Sequence, residues 1–542
     1  MLALRAMNNR NRLSAIVLIL LFFAAFALAA CTPEPAQKAM QIIVIADNRQ
    51  RAFEQTQQVT VGQFLDLIGL ELGELDLLNP PKTTQIQDGM TITVVRVEEQ
   101  VDCEQNPLPF QQQTVPSEGL QPGEERLAQP GVNGIEEVCY RTTIEDGQPR
   151  DPVEIRRVVV QAPQDQIMWV GVDTANLETV PITGTLAYLS NGDVWLMRGS
   201  SATKRPLTTG GGADGKAFAL SQDGNQVLLT RQYTGDDTDI YFNTLWVILD
   251  TRASDPQAQE LSLLNNILYA EWVPFQPYSF TYSAAESREA APGWQAFNDL
   301  WLMRIDPNSG QVLSPRNILE SSSGGVYGWW GTQFRWSPDG ASLAWARADS
   351  MGLLDIDTGE FQPLLSFPIY ATFQDWVWQP TLSWSPDNLM LVTTVHGPPF
   401  GSEPAESSPI FNVAVAAADG EFSAEVVDRA GIWAAPVFSP FLEDQTGEFP
   451  QAYMAYLRAR SPLNSRTSDY DLVVADRDGS NARVLFPEGN ASGLQPQTLV
   501  WSPDGKQIAF VYQQNLWIVD AESGRAQQLT IDASASSPQW AP

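Results

Sequence analysis

The chain has 542 residues, too many for one ordinary domain, and its 43% hydrophobic and 10% aromatic content excludes a wholly disordered protein. Its 64 acidic and 32 basic residues leave a formal net charge of −32. This charge repels phosphate backbones, so we expect no nucleic-acid partner. The 38 glycines, 38 prolines and 17 tryptophans favour many short strands joined by tight turns, and so predict a mainly β fold.

The first thirty residues have the composition of an export signal. Three arginines precede an apolar run at Ile16–Ala27, which is followed by Leu28–Cys31 (Leu-Ala-Ala-Cys). This stretch resembles the lipobox of bacterial lipoproteins. The resemblance implies a signal peptide over 1–30, lipidation of Cys31 and a tether over 31–40, with the acyl chains in a lipid bilayer. The protein would then lie in the cell envelope, on the outer face of the membrane; an uncleaved membrane anchor is the alternative.

Residues 41–97 predict a small module with a strand at Gln41–Ala46, a helix that begins near Thr60–Gly62, and an alternating strand at Thr91–Val97. Three of its segments closely resemble the domain of unknown function repeated in resuscitation-promoting factors: Val61–Gly69, Leu78–Pro81 and Asp88–Ile92. The resemblance covers nearly the whole module and implies a ubiquitin-like α+β roll.

Residues 98–172 continue as alternating strands interrupted by Pro and Gly, with glycines placed where turns need positive φ. This elongated β-rich module resembles the G-five domain of the cell envelope. The resemblance implies adhesion to, or binding of, wall polymers that contain N-acetylglucosamine. Cys103 and Cys139 depart from the family pattern. As an even pair in an exported protein they predict a cross-strand disulfide, with two unpaired buried thiols as the alternative.

After a linker at 173–183, residues 184–542 are repetitive. The clearest unit has an inner strand that ends at Trp501, a Ser-Pro-Asp-Gly turn, two further strands and a short outer strand, which together predict one four-stranded propeller blade. Related turns, some degraded, occur at five other places: Ser221–Gly224, Trp272–Pro274, Trp336–Gly340, Trp384–Asp387 and Phe438–Pro440.

The third strands give an independent blade count. Their apolar cores number seven: Val194–Leu196, Leu245–Val247, Leu300–Leu302, Leu353–Asp355, Asn412–Ala414, Asp471–Val473 and Leu516–Ile518. The first unit lacks an inner strand, and Ser537–Pro542 is an inner strand without a blade, so we expect the C-terminal strand to complete the first blade and close the ring. Six or eight blades remain alternatives. The turn resembles that of TolB-like, WD-type propellers, which implies a fold and a binding habit but no activity.

Catalytic motifs are scarce. The one histidine, His396, lies in a Gly-Pro-Pro-rich stretch and is interpreted as a loop residue, and we find no nucleophile elbow, zinc motif or phosphate loop. We therefore predict no catalytic residue, no metal and no cofactor. Asp236, Asp237 and Asp239 offer oxygen ligands for calcium, but their spacing matches no EF-hand, which favours a solvated acidic turn.

Aromatic residues give the better functional signal. They precede three consecutive inner strands, in segments that should gather on one rim of the ring, where their faces could stack on sugars or grip a peptide. The candidate ligand-binding residues are Tyr327, Trp329, Trp330, Trp376, Trp378 and Trp433. The alternative is that these side chains fill the hub or pack between blades.

Two functions from different classes follow. The first is a non-catalytic binding or scaffold protein of the envelope, whose front modules contact cell-wall polysaccharide or peptidoglycan and whose propeller rim contacts a glycan or protein. The second is an extracellular glycan hydrolase or lyase with carboxylates at the propeller mouth. A purely structural role in an envelope complex differs from the first only in the partner.

Overall fold

The computed structural model describes residues 38–442 and 450–542. The predicted signal peptide and the lipidation site at Cys31 lie outside these residues. The chain divides into two compact units, one made of the residues up to Gln111 with Pro130–Gln166, the other of Gln112–Gln129 with Ile167–Pro542.

Among the described residues, no helix is both long enough and apolar enough to cross a bilayer.

The first unit begins with a four-stranded sheet and one helix, α1 (Val61–Leu67). Thr60 caps the helix, since its hydroxyl accepts from the Gln63 amide while the Gln63 side chain accepts from the Thr60 amide. Phe64 and Leu65 pack against the apolar face of the sheet. The strands, in the order β2-β1-β4-β3, are β1 (Met40–Ala46), β2 (Arg49–Gln55), β3 (Leu77–Asn79) and β4 (Thr91–Val95).

A second sheet of this unit has the order β10-β8-β5, and β9 also pairs with β8. Cys103 and Cys139 lie directly opposite each other on β5 and β8 and are joined by a disulfide. The strands are β5 (Val97–Leu108), β8 (Gly134–Glu145), β9 (Gln148–Pro149) and β10 (Val153–Gln161).

The second unit opens with a small sheet in the order β6-β11-β7. Its residues fall in the stretch 98–172 that the sequence assigns to the middle module, yet they cluster with the propeller. The reason is a buried contact, because Glu118 forms an ion pair with Lys204 and accepts from the Ile531 amide at 2.6 Å. The strands are β6 (Gln112–Ser117), β7 (Glu125–Gln129) and β11 (Gln166–Gly171).

Seven further sheets make the propeller, and they confirm the predicted blade count. Blade 1 consists of β39 (Ala535–Ala541), β12 (Pro181–Ser190) and β13 (Asp193–Pro206). Blade 2 consists of β14 (Ala213–Leu220), β15 (Val227–Gln232), β16 (Asn243–Ile248) and β17 (Ala258–Asn265). Blade 3 consists of β18 (Ile267–Trp272), β19 (Ser279–Ser287), β21 (Leu300–Arg304) and β22 (Arg316–Leu319), with β20 (Trp294–Ala296) on β19.

The other four blades have four strands each. Blade 4 consists of β23 (Gln333–Trp336), β24 (Leu343–Arg347), β25 (Ser350–Leu354) and β26 (Phe361–Ser366). Blade 5 consists of β27 (Ser383–Trp384), β28 (Met390–His396), β29 (Phe411–Ala417) and β30 (Ser423–Val427). Blade 6 consists of β31 (Val437–Phe438), β32 (Tyr453–Ala459), β33 (Tyr470–Asp476) and β34 (Arg483–Phe486). Blade 7 consists of β35 (Val500–Trp501), β36 (Gln507–Tyr512), β37 (Asn515–Asp520) and β38 (Ala526–Gln528).

The C-terminal strand closes the ring as the sequence predicts. β39 pairs antiparallel with β12, with Trp540 opposite Leu186, and so supplies the inner strand of blade 1. Blade 1 differs from the repeat in having three strands among the described residues, and β12 begins at Pro181, inside the predicted linker.

The repeated tryptophan joins neighbouring blades. The indole of Trp384 in blade 5 donates to the carbonyl of Arg335 in blade 4, and that of Trp501 in blade 7 donates to the carbonyl of Val437 in blade 6. Because each indole is nearly buried, this bond satisfies its single donor while the ring fills the space between two inner strands. The recurrent Trp is therefore a structural residue of the repeat.

The Ser-Pro-Asp-Gly turn is held by its own side chains. The Ser502 hydroxyl donates to Asp504 at 2.6 Å and accepts from the Gln507 amide at 2.9 Å, and Ser337 makes the same pair of bonds with Asp339 and Ser342. These bonds fix the hairpin between the inner and second strands.

Replacing Ser502 by alanine should lower the free energy of unfolding by about 1–3 kcal/mol, because Ser502 is buried and its loss takes an acceptor from the Gln507 amide and a donor from Asp504. Chemical denaturation measures the loss. Ser523→Ala, in an exposed turn of the same blade, is the control, and equal losses in the two variants would contradict the role given to Ser502.

Candidate binding rim

Segments that lead from an outer strand to the next inner strand lie at one end of the ring, together with the turns between second and third strands. The aromatic rim is the part of that end formed by residues 320–332, 367–382, 428–436 and 487–499, between blades 3 and 7. At blade 1 the same end is covered, since Pro116 and Glu118 contact Asn191 and the Ile531 amide. The aromatic rim, between blades 3 and 7, lies away from this covered part.

Trp376 and Trp433 form the main aromatic contact of the rim. Their ring centres are 5.6 Å apart and the planes are inclined by 31°. The Trp376 indole donates to Gln374, and the guanidinium of Arg466 lies 5.8 Å from the Trp376 ring centre. Both tryptophans are half-buried, so part of each ring meets solvent.

Tyr327, Trp329 and Trp330 form a second group around a short 3-10 helix, Gly328–Trp330. Tyr327 and Trp330 meet edge to face at 6.4 Å, and Trp329 is 39% exposed. The two aromatic groups are adjacent along the rim, because the side chain of Gln379, close to Trp378 in sequence, bonds the carbonyl of Gly331.

Trp378 packs inside the propeller, as the alternative interpretation of the aromatic residues predicts. It is 2% exposed, its ring packs on Phe411, and its indole donates to the carbonyl of Ile432 at 3.0 Å. The indole donor is thereby occupied by the protein. Trp378 supports the rim from below and offers a ligand little surface.

His396 ends strand β28 and is 1% exposed, so the interpretation as a loop residue is wrong. Its Nδ1 lies 3.0 Å from the carbonyl oxygen of Pro368 and its Nε2 lies 2.9 Å from that of Ser408. The ring also packs against Tyr370 and Phe411. Because both ring nitrogens face backbone carbonyls, the imidazole ties two rim segments together and has no nitrogen left for a substrate.

A cavity of about 260 Å³ opens on the rim beside Trp433. Ten residues line it: Trp378, Gln379, Thr381, Thr394, Ile432, Trp433, Ala435, Pro496, Gln497 and Thr498. The hydroxyls of Thr381 and Thr394 are buried there and have no hydrogen-bond partner among the described residues. Sequence reasoning missed both, because a threonine gives no signal in the sequence of whether its hydroxyl will find a partner.

A cavity of about 610 Å³ is lined by the inner strands of blades 1 and 4–7. Arg335 is the single charged residue among the described residues that line this cavity, and its guanidinium is paired with Glu271 on the inner strand of blade 3. Acidic groups that burial shifts lie elsewhere. Burial raises the pKa of Asp193 and of Asp299, and each carboxyl accepts hydrogen bonds from its own blade, Asp193 from Thr208 and Asp299 from Trp301 among others.

Asp236, Asp237 and Asp239 are exposed in the turn between β15 and β16. Within residues 38–442 and 450–542, the one group of three side chains close enough to share a metal is Cys103, Glu137 and Cys139. Its two sulfurs are already bonded to each other. The three aspartates therefore do not converge.

Two stretches of the chain match known families. Residues 99–173 match the G5 domain. This match confirms the G-five resemblance of the middle module. Residues 467–538, in blades 6 and 7, match the dipeptidyl peptidase IV N-terminal region. None of the curated proteins compared with the chain matches it.

Several solved structures resemble parts of the chain. A putative TolB from Agrobacterium tumefaciens is 15% identical with a TM-score of 0.34, over 61% of this chain and 96% of its own. The G5 structure of HP0197 is 21% identical with a TM-score of 0.13, over 14% of this chain and 99% of its own. The tricorn protease is 10% identical with a TM-score of 0.41, over 74% of this chain and 43% of its own. At these identities, function has to be inferred from the side chains of this chain.

Proposed function

We propose that this protein is a lipid-anchored, non-catalytic binding protein of the cell envelope. Its G5 domain and the ubiquitin-like module before it would contact cell-wall polysaccharide or peptidoglycan, and the propeller would present the aromatic rim to a glycan or protein. The observation that carries the proposal is the partly exposed Trp376–Trp433 pair, two neighbouring aromatic rings on the rim of a closed propeller. The anchor rests on the lipobox at Leu28–Cys31.

The hydrolase or lyase alternative has less support. A glycosidase of the usual kind needs two carboxyl groups on either side of the scissile bond. Arg335 is the one charged residue among the described residues that line the cavity of about 610 Å³ between inner strands, and the buried carboxyls of Asp193 and Asp299 accept hydrogen bonds from Thr208 and Trp301. A binding role needs none of these groups.

Replacing Trp376 and Trp433 together by alanine should weaken binding at the rim about tenfold or more, because truncating a central aromatic anchor costs upward of about 1–2 kcal/mol. The measurement is a peptidoglycan pull-down with a glycan array, using residues 32–542. Phe422→Ala is the matched control, since Phe422 is an exposed aromatic between third and outer strands, at the opposite end of the ring.

The pull-down also separates the two halves of the proposal. Peptidoglycan binding that survives the double Trp variant would place wall recognition in the front modules. If neither the wild-type chain nor the variants bind any wall polymer or glycan, the proposed function is wrong for glycans and a protein partner has to be sought. Circular dichroism of each variant checks that the propeller is folded.

A further inference from the structure

The rim cavity beside Trp433 contains polar groups that the fold itself does not use. Thr394 is 2% exposed, yet its hydroxyl has no hydrogen-bond partner among the described residues, and the same is true of the buried hydroxyl of Thr381. A buried hydroxyl without a partner is costly. Valine would fill the same space in either position without that cost.

The neighbouring residue shows how threonine is otherwise used on this strand. Thr393 precedes Thr394 on β28 and points to the other face of the sheet, where its hydroxyl donates to the carbonyl of Thr381 at 2.7 Å. That hydroxyl is part of the structure, whereas the hydroxyl of Thr394 lines the cavity.

Glutamine side chains fix the walls of the cavity. The amide of Gln497 both donates to and accepts from the backbone of Val511, and the amide of Gln379 donates to the carbonyl of Gly331. Because these groups already have partners, the hydroxyls of Thr381 and Thr394 are the buried polar groups of the lining that are left for a ligand, and Thr498 adds an exposed hydroxyl at the edge of the cavity.

The residues that line the cavity indicate which class of ligand it can bind. None of the ten lining residues is ionisable, and the molecule carries a net charge of −32, so an anionic ligand has no partner and is repelled. The cavity combines the apolar ring of Trp433 with hydroxyl groups, which suits a ring with one apolar face and hydroxyls on its edge. Its volume of about 260 Å³ lies below the range of drug-sized sites, which limits it to a ligand of about one ring.

We infer that this cavity binds a single pyranose ring of a neutral glycan, with the hydroxyls of Thr381 and Thr394 as hydrogen-bond partners and Trp433 as the stacking surface. The inference rests on the proposed binding function of the rim and names its ligand class. A free monosaccharide and the end of a polysaccharide present the same ring, so both are tested.

The experiment is isothermal titration calorimetry with residues 32–542. The probes are glucose, N-acetylglucosamine, cellotetraose and the tetramer of N-acetylglucosamine, with tetragalacturonate as an anionic probe. We expect at least one neutral probe to bind and tetragalacturonate not to bind. Equal affinity for a monosaccharide and its tetramer indicates that one ring accounts for the binding.

Thr394→Val and Thr381→Val should each weaken binding about tenfold, as expected for the loss of one buried hydrogen bond, and neither should lower the melting temperature. The matched control is Thr230→Val, on the second strand of blade 2, where the hydroxyl bonds Asp214. This control should lower the melting temperature and leave binding unchanged.

Unchanged affinity in both Thr381→Val and Thr394→Val would overturn the inference and assign the hydroxyls to water. Failure of every neutral probe to bind the wild-type chain would also overturn it. Wall binding that is lost in the double Trp variant but kept in both threonine variants would overturn the cavity inference and leave the proposed function intact. If the chain binds sugars through the two threonines but binds no wall polymer, the cavity inference is supported and the wall-binding proposal is contradicted.

Discussion

Replacing Lys204 by methionine should destabilise the second unit by about 3–5 kcal/mol, because the variant leaves the carboxylate of Glu118 buried without its cation. The side chains of Lys204 and Glu118 are 12% and 3% exposed, and the carboxyl of Glu118 also accepts from the Ile531 amide. The ion pair attaches the small β6-β11-β7 sheet to blade 1, and the bond from Ile531 attaches it to the segment between blades 7 and 1. Thermal and urea unfolding of the variant measure the loss.

The effect of Lys204→Met should depend on pH. Burial raises the pKa of Glu118 even with Lys204 present, and removal of the cation raises it further. The folded variant then keeps a proton that the unfolded chain releases, so its stability decreases as the pH rises above the ordinary carboxyl range. We therefore expect the destabilisation to be larger at about pH 8 than at about pH 5.

The matched control for this ion pair is Arg525→Ala. Arg525 and Glu178 also pair across the second unit, but their side chains are 63% and 61% exposed. Exposed pairs contribute at most about 1 kcal/mol. Equal losses in Lys204→Met and Arg525→Ala, or a loss in Lys204→Met that does not change with pH, would contradict the role assigned to Glu118.

Removing residues 535–542 should abolish the cooperative unfolding of the propeller and cause association. The deletion takes away β39, the inner strand of blade 1, so the backbone groups of β12 lose their partners and the edge of β12 is exposed. It also uncovers the core around Leu186 and Tyr188, against which Ala535 packs. Such a loss is comparable with the whole stability of an ordinary domain, about 5–15 kcal/mol.

Gly184→Ala tests the same closure with a single methyl group. Gly184 has a φ of +71°, and a Cβ at this position would lie 2.2 Å from the carbonyl oxygen of Ala541. Trp540→Phe is the control, since it keeps the strand and removes only the indole bond to the carbonyl of Thr183. A truncated chain that stays monomeric and melts cooperatively, as judged by size-exclusion chromatography and calorimetry, would contradict the closure.

The propeller repeat could be predicted from the sequence because the residues that determine it lie close together in the chain. A Ser-Pro-Asp-Gly turn satisfies its own hydrogen bonds within a few residues, as Ser502, Asp504 and Gln507 do. The alternating third strands also repeat at a regular spacing, and an inner strand without a blade at Ser537–Pro542 implies its pairing with the first unit. Blade number and ring closure followed from counting such local patterns.

Whether a rim side chain is buried or exposed could not be predicted from a local sequence pattern. Trp376 and Trp378 are two residues apart in the same segment before β27, yet Trp376 meets Trp433 at the surface while Trp378 is buried against Phe411. His396 lies beside glycine and prolines, which predicted a loop, but two backbone carbonyls from separate segments enclose it. Burial depends on which neighbours the closed ring brings together.

The sequence by itself determined the G-five resemblance and a seven-bladed ring, and it predicted the export signal and the order of the modules, because each depends on residue types and spacing within short windows. The tertiary structure alone decided that Glu118 pairs with Lys204 and that Thr381 and Thr394 share a cavity with Trp433. These contacts join residues from different strands and blades. Whether a charge is paired or a hydroxyl lacks a partner depends on the atoms that packing places within about 3–4 Å, and composition and periodicity carry no information about them.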